Sequence, residues 1–132
     1  MRVIPVGLRG TYAMTVKPEH LASQFKDAIL PPVLATPIMV LIMENAALST
    51  IRDYLEADEA AVGTKINVKH LAATPVGHRV VAEAEVIEVD GRRIEFKVTA
   101  RDEIEQIGAG THQRMVVNLG RLKSRLAAKS RK

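Results

Sequence analysis

The chain has 132 residues, 47% hydrophobic, 26% charged and only 3% aromatic, which suits one globular domain with an aliphatic core and predicts no second one. It contains no cysteine, excluding disulfides and thiolate chemistry, and no apolar run reaches the roughly 18 residues of a membrane span. The net charge of +4 sits at one end. Residues 119–132 hold six lysines and arginines and no acid, leaving thirteen basic against fifteen acidic groups elsewhere, so no nucleic-acid partner is expected for the folded part.

The opening "MRVIPVGLRGTYAMTVK" has no uninterrupted apolar signal region, and the expected location is the cytoplasm. Its "GTYAMTVK" reads as a strand. The following "PEHLASQFKDAILPPVLAT" cannot be one helix because of Pro18, Pro31 and Pro32, and reads as a short helix and a loop. Thr36 and Pro37 then form a helix start, threonine as N-cap and proline at the first helical position. This helix runs to about Leu55. On its wheel Glu44 groups with Val40, Ala47, Leu48, Ile51 and Leu55, while Ser49, Thr50 and Asp53 fall opposite. A carboxylate held unpaired in an apolar face costs several kcal/mol unless it is neutralised, so Glu44 needs a partner or a use.

From Ala61 the period changes to two. In "VGTKINVKH", Val62, Thr64, Ile66, Val68 and His70 share one face and Lys65, Asn67 and Lys69 the other, which turns His70 inward. "ATPVG" makes a turn, "HRVVAEAEVIEV" a strand, "DG" a tight hairpin, "RRIEFKVTARD" its partner and "IGAGTHQRMVVN" a last strand. The expected class is α+β: a long central helix wrapped by a curved antiparallel meander. Residues 1–122 are expected to form the single domain, and residues 123–132 a basic tail that is mobile and dispensable for the chemistry, a docked helical continuation being the rival reading.

Glu44 and His70, inward on facing elements, can approach each other or a shared ligand. The plainer alternatives are a glutamate paired internally with arginine and a hydrogen-bonded core histidine. Thr36 is by default an N-cap, although a helix N-terminus also presents free N–H groups to a developing oxyanion. None of His20, His70, His78 and His112 sits in a spacing such as HExxH, so no metal is expected. "GAGTH" lacks the third glycine of a dinucleotide fingerprint, and Ser23, Ser49, Ser124 and Ser130 lie outside any G-x-S-x-G.

Together, "VLATPIMVLIMENAAL", "VGTKINVKHLAATPVG", "VDGRRIEFKVTARDE" and "IGAGTHQRMVV" resemble the hotdog-fold acyl-CoA thioesterases of the fluoroacetyl-CoA thioesterase-like family, over residues 32–122. The resemblance implies the hotdog fold, a homodimer or higher oligomer with two sites at the subunit interface, and hydrolysis of an acyl-CoA without a cofactor. It implies a catalytic Thr36, Glu44 and His70, the residues that periodicity had isolated, and on the substrate side Gly63, as a backbone contact beside the acyl group, and Arg114. A fluoroacetyl-selective enzyme is expected to carry an aromatic-rich lid, whereas residues 18–34 hold Phe25 alone, so the expected substrate is a short or branched acyl-CoA. Glu44 would serve as base or nucleophile. Two other readings stand: a non-catalytic acyl-CoA or small-ligand binding protein, and a protein recruited to nucleic acid or a membrane surface by its basic tail.

Overall fold

The computed structural model describes residues 1–131. Five strands, β1 (Arg9–Thr15), β2 (Glu59–His70), β3 (Arg79–Asp90), β4 (Arg93–Arg101) and β5 (Gln106–Asn118), form one antiparallel sheet. Three α-helices accompany it: the one-turn α1 (Ala22–Phe25), the long α2 (Thr36–Ile51) and α3 (Leu119–Lys129). The strand order is β1-β3-β4-β5-β2. Only β3, β4 and β5 make a meander; β2 crosses to the far edge to pair with β5, so the simple meander expected from the sequence is corrected at its first strand.

Alternation decides which face is covered. Val80, Ala82, Ala84 and Val86 of β3 and Ile94, Phe96, Val98 and Ala100 of β4 are buried, and the residues between them are more exposed. Against that face lies α2, burying Met39, Ile42, Met43, Ala46, Ala47, Thr50 and Ile51. Each fully buried Met or Ile contributes about 1.5–3 kcal/mol. The helix lies close because the rows beneath it are small. One row across all five strands reads Gly10, Ala84, Val98, Gly110, Val68, and the next reads Tyr12, Ala82, Ala100, Gly108, His70. A Cβ at Gly10 would collide with the Thr50 side chain, and one at Gly108 would stand 2.5 Å from Met39 Sδ.

Several sequence expectations change at this level. Helix α2 stops at Ile51 and passes into a single 3-10 turn, Arg52–Tyr54, short of Leu55. Thr36 is its first helical residue and Ala35 the N-cap. Thr50 is buried, its hydroxyl donating to the Ala46 carbonyl at 2.7 Å, and Glu44 lies on the flank with its side chain 36% exposed. On a helix apolar almost all round, the wheel cannot say which side the sheet will cover.

A β-bulge at Thr64 also breaks the alternation of β2. Gly63 pairs with Arg114 and Lys65 with Gln113, leaving Thr64 without an opposite residue. Gly63 therefore shares the concave face with Ile66, Val68 and His70, while Val62 and Thr64 leave the set in which the period of two had placed them. In the hairpin, Gly91 and Arg92 form the loop with φ +60° at Gly91 alone, the pattern of a type II′ turn. The segment read as a tail begins inside α3, whose N-cap Asn118 accepts from the Arg121 N–H at 3.0 Å. Its last residue, Lys132, lies outside the described residues. Among the described residues no helix is long and apolar enough to cross a membrane.

Replacing Gly10 by valine forces β1 off α2 and is expected to lower stability by about 1–3 kcal/mol. Urea unfolding measures this as a lower midpoint at constant slope. An unshifted midpoint would contradict the close strand-helix crossing.

Candidate active site

Two polar clusters stand on the concave side of the sheet. In the first, Thr36 at the start of α2 meets His70 at the end of β2, with Oγ1 2.8 Å from Nδ1. Both segments are strapped to their surroundings. The Leu34 N–H donates to the Thr74 carbonyl at 2.9 Å, and the Thr74 hydroxyl donates to buried Asp102 at 2.8 Å. The approach to α2 and the loop after β2 are thus tied together. His70 Nε2 is buried with no hydrogen-bond partner among the described residues. Desolvation holds the imidazole below its ordinary pKa, so the ring is neutral at pH 7. Thr36 and His70 line a cavity of about 460 Å³ whose other walls include Lys26, Leu30, Pro31, Val33 and Leu71, with no Phe, Tyr or Trp.

The second cluster surrounds Glu44. Its carboxylate lies over the backbone of Gly63, so near that a Cβ there would stand 2.7 Å from Oε2. Only glycine leaves that space. Arg114 Nη1 is 3.9 Å from the same oxygen, close enough for attraction but too far for a hydrogen bond. Arg114 donates through Nη2 to the Ala61 carbonyl at 2.7 Å, and Nη1 lies 3.1 Å from His112 Nε2. His112 Nδ1 is 2.8 Å from the Lys65 carbonyl. Because a carbonyl only accepts, Nδ1 carries the proton and Nε2 accepts from the guanidinium. Burial lowers the His112 pKa most; the Arg114 charge lowers it further, while the Lys65 carbonyl and Glu44 oppose. Burial also lowers Arg114, against the pull of Glu44. A smaller cavity of about 210 Å³ opens beside Glu44, Gly63, Ile66 and His112.

Thr36 and His70 are thus brought together, as are Glu44, Gly63 and Arg114. The two groups do not meet within one protomer, since eight residue steps along α2 set Thr36 and Glu44 about 12 Å apart along the axis. The direct approach of Glu44 to His70 expected from facing elements is absent. His112 was missed. Its signal is the H-x-R alternation ahead of Val116, which puts His112 and Arg114 on the covered face of β5. Among the described residues no group of three or more His, Asp or Glu side chains could hold a metal ion.

A long helix wrapped by a curled antiparallel sheet, with its polar groups on the concave side, defines the hotdog fold. The fluoroacetyl-CoA-specific thioesterase family matches residues 16–119, and the chain belongs to that family. It is 39% identical to the fluoroacetyl-CoA thioesterase of Streptantibioticus cattleyicolor over 130 residues, covering 95% of this chain and 94% of that one. A solved structure of the fluoroacetyl-CoA thioesterase FlK superposes with a TM-score of 0.92 at 36% identity, covering 98% of this chain and 99% of that one. A thioesterase superfamily member from Thermus thermophilus gives 0.89 at 28%, covering 97% and 94%.

Both depressed histidines give the fold a defined acid response. A histidine whose folded pKa lies below its unfolded value of about 6.5 takes up its proton more readily in the unfolded chain. Its stabilising effect is full above that value and is lost as pH falls towards the folded pKa. Melting temperature is expected to drop between pH 7.5 and 5.5, and the His70→Gln/His112→Gln double variant to flatten that slope. An equal slope in the variant would refute the burial of neutral imidazoles.

Proposed function

We propose that the chain hydrolyses short or branched acyl-CoA thioesters to the free acid and CoA, at sites completed by two protomers. The observation that carries this reading is the carboxylate of Glu44, half-exposed beside an open cavity. It is held by a 3.9 Å attraction that leaves its oxygens available to water or substrate. Glu44 takes a proton from water as the oxygen attacks the thioester carbonyl, or attacks it directly and is released by water in a second step. The C–S bond breaks, the thiolate of CoA leaves with a proton, and the acid remains. Backbone N–H groups near Gly63 polarise the carbonyl, and Thr36 and His70 orient the thioester and carry charge. The largely aliphatic cavity beside Thr36 and His70 suits a short or branched acyl group and offers no Phe, Tyr or Trp ring to grip a fluoromethyl.

A dimer supplies what one protomer separates. Strand β2 is an edge strand of twelve residues, with Val62 and Ile66 exposed, and such an edge invites pairing with a second copy. Antiparallel pairing about a two-fold axis near Ile66 carries His70 of one copy towards Gly63 of the other, and so to its Glu44. The buried, unpartnered Nε2 of His70 supports this arrangement. The non-catalytic binding reading has one observation in its favour, the Arg114 cation beside Glu44.

Free-thiol release across a panel of acyl-CoAs tests activity and acyl preference together. Glu44→Gln is expected to lower the rate by about 10² or more, with melting temperature held or raised. A variant that keeps its rate would sink the catalytic assignment in favour of the binding protein.

Sharing of the site is tested by mixing. Glu44→Gln and His70→Gln homodimers are each expected to be inactive. After subunit exchange at equal amounts, about a quarter of the parental activity should return, because half of the dimers then hold one intact site of two. No return after verified exchange would place all three residues in one protomer.

A further inference from the structure

Arg114 and Glu44 carry opposite charges side by side, yet they do not form a closed pair. A guanidinium and a carboxylate free to meet close to about 2.7–2.9 Å, often through two parallel hydrogen bonds, whereas here Nη1 stops 3.9 Å from Oε2. Arg114 Nε, meanwhile, is buried with no hydrogen-bond partner among the described residues. An orphaned donor beside an unbridged carboxylate shows that something other than the pair orients the fork. Two neutral acceptors do so. Nη2 donates to the Ala61 carbonyl at 2.7 Å, and Nη1 lies 3.1 Å from His112 Nε2.

Of these anchors, His112 is the one that stands at the site. Its ring lines the cavity of about 210 Å³ together with Glu44 and Gly63, and Arg114 is not among the walls. The three side chains converge over Gly63. A Cβ there would stand 2.7 Å from Glu44 Oε2, 3.4 Å from His112 Cε1 and 3.6 Å from Arg114 Nη1. The ring has little freedom to yield, since Nδ1 donates to the Lys65 carbonyl at 2.8 Å and Phe96 stacks on its face. With the proton on Nδ1, Nε2 holds a lone pair, so it accepts from Arg114 and cannot donate to Glu44. Burial, and after it the Arg114 charge, keeps the imidazole below its ordinary pKa, so this acceptor state is the one present at pH 7.

We infer that His112 is a positioning residue that holds the Arg114 guanidinium back from Glu44, so that the carboxylate stays unbridged for the proposed hydrolysis, the reading on which this inference rests. At 3.9 Å the cation attracts the carboxylate without occupying the lone pairs that take a proton from water or attack a carbonyl. A closed two-point pair would occupy them and weaken the group as base or nucleophile. Without the acceptor at His112, Nη1 has Glu44 as its nearest alternative, and the pair closes.

The test uses two substitutions at one position. His112→Phe keeps a flat ring against Phe96 and removes the acceptor; His112→Gln removes the ring and keeps an acceptor oxygen. In crystals of the His112→Phe protein Arg114 is expected to swing onto Glu44, shortening the 3.9 Å separation to hydrogen-bond range. In thiol-release assays its kcat is expected to fall about tenfold or more with KM little changed. His112→Gln should keep the pair open and recover most of kcat. A ring needed only for packing predicts the opposite order, with Phe mild and Gln severe, and that order would overturn the inference. So would a folded His112→Phe protein in which the pair stays open or kcat is that of the parent. If His112→Phe does not fold, the His112→Gln crystals decide: an open pair upholds the inference and a closed one overturns it. The crystallographic arm does not depend on turnover. If the parent cleaves no thioester and the His112→Phe pair closes, the restraint on Arg114 stands and the enzymatic reading fails.

Discussion

A guanidinium set into the concave face of a sheet has to be satisfied from several directions at once, and Arg114 organises the site because of it. Its side chain is only 9% exposed, and a cation so placed costs several kcal/mol unless its charge and donors find partners. The Ala61 carbonyl from β2 and His112 from its own strand accept from Nη2 and Nη1, Glu44 from α2 stands 3.9 Å away as a countercharge, and Nε is buried without a hydrogen-bond partner among the described residues. One side chain thereby draws a helix carboxylate and two strands to one point, while the Lys65 carbonyl fixes the tautomer of His112. Phe96 completes the support, its ring stacked on His112 with centroids 6.0 Å apart.

The bulge in β2 makes this arrangement possible. In a regular strand Gly63 and Ile66, three residues apart, would lie on opposite faces; with Thr64 bulged out, both face Arg114 and His112 across the ladder. Gly63 then presents bare backbone beneath a carboxylate, the one surface that can tolerate that approach. A local irregularity of the strand and a missing side chain together create room for chemistry inside a packed layer.

Rigidity elsewhere keeps the halves of the site in register. Small residues in two rows let α2 sit close to the sheet, and the bonds from Leu34 through Thr74 to Asp102 tie the start of α2 to the loop after His70. The cavity of about 460 Å³ beside Thr36 and His70 lies between these fixed parts and the proline-rich segment before α2. Its apolar lining follows from that segment's composition, in which Leu30, Pro31 and Val33 stand where an aromatic lid would be expected of a fluoroacetyl-selective enzyme.

By itself the sequence determined the kinds and order of elements up to β5, since alternation and the apolar run encode strands and a helix through nearest-neighbour geometry, while α3 was read as a tail. It also singled out Glu44 and His70, because a charged or titratable group in an apolar pattern is visible without a fold, and the quoted motifs carried the family. Tertiary structure decided what depends on distant partners. The wheel centred the buried face of α2 wrongly because nearly every side of that helix is apolar, and only contact with β1 and β3 shows Thr50 covered and Glu44 on the flank. No period of two survives the bulge at Thr64, so Gly63 and Val62 exchanged faces. His112 and Arg114 stayed unread as a pair, because their meaning lies in Glu44 and Lys65, some seventy and fifty residues earlier in the chain. The separation of Thr36 and His70 from Glu44 is likewise a fact of three dimensions: sequence spacing sets distance along a helix, but only packing decides which side chains share a space.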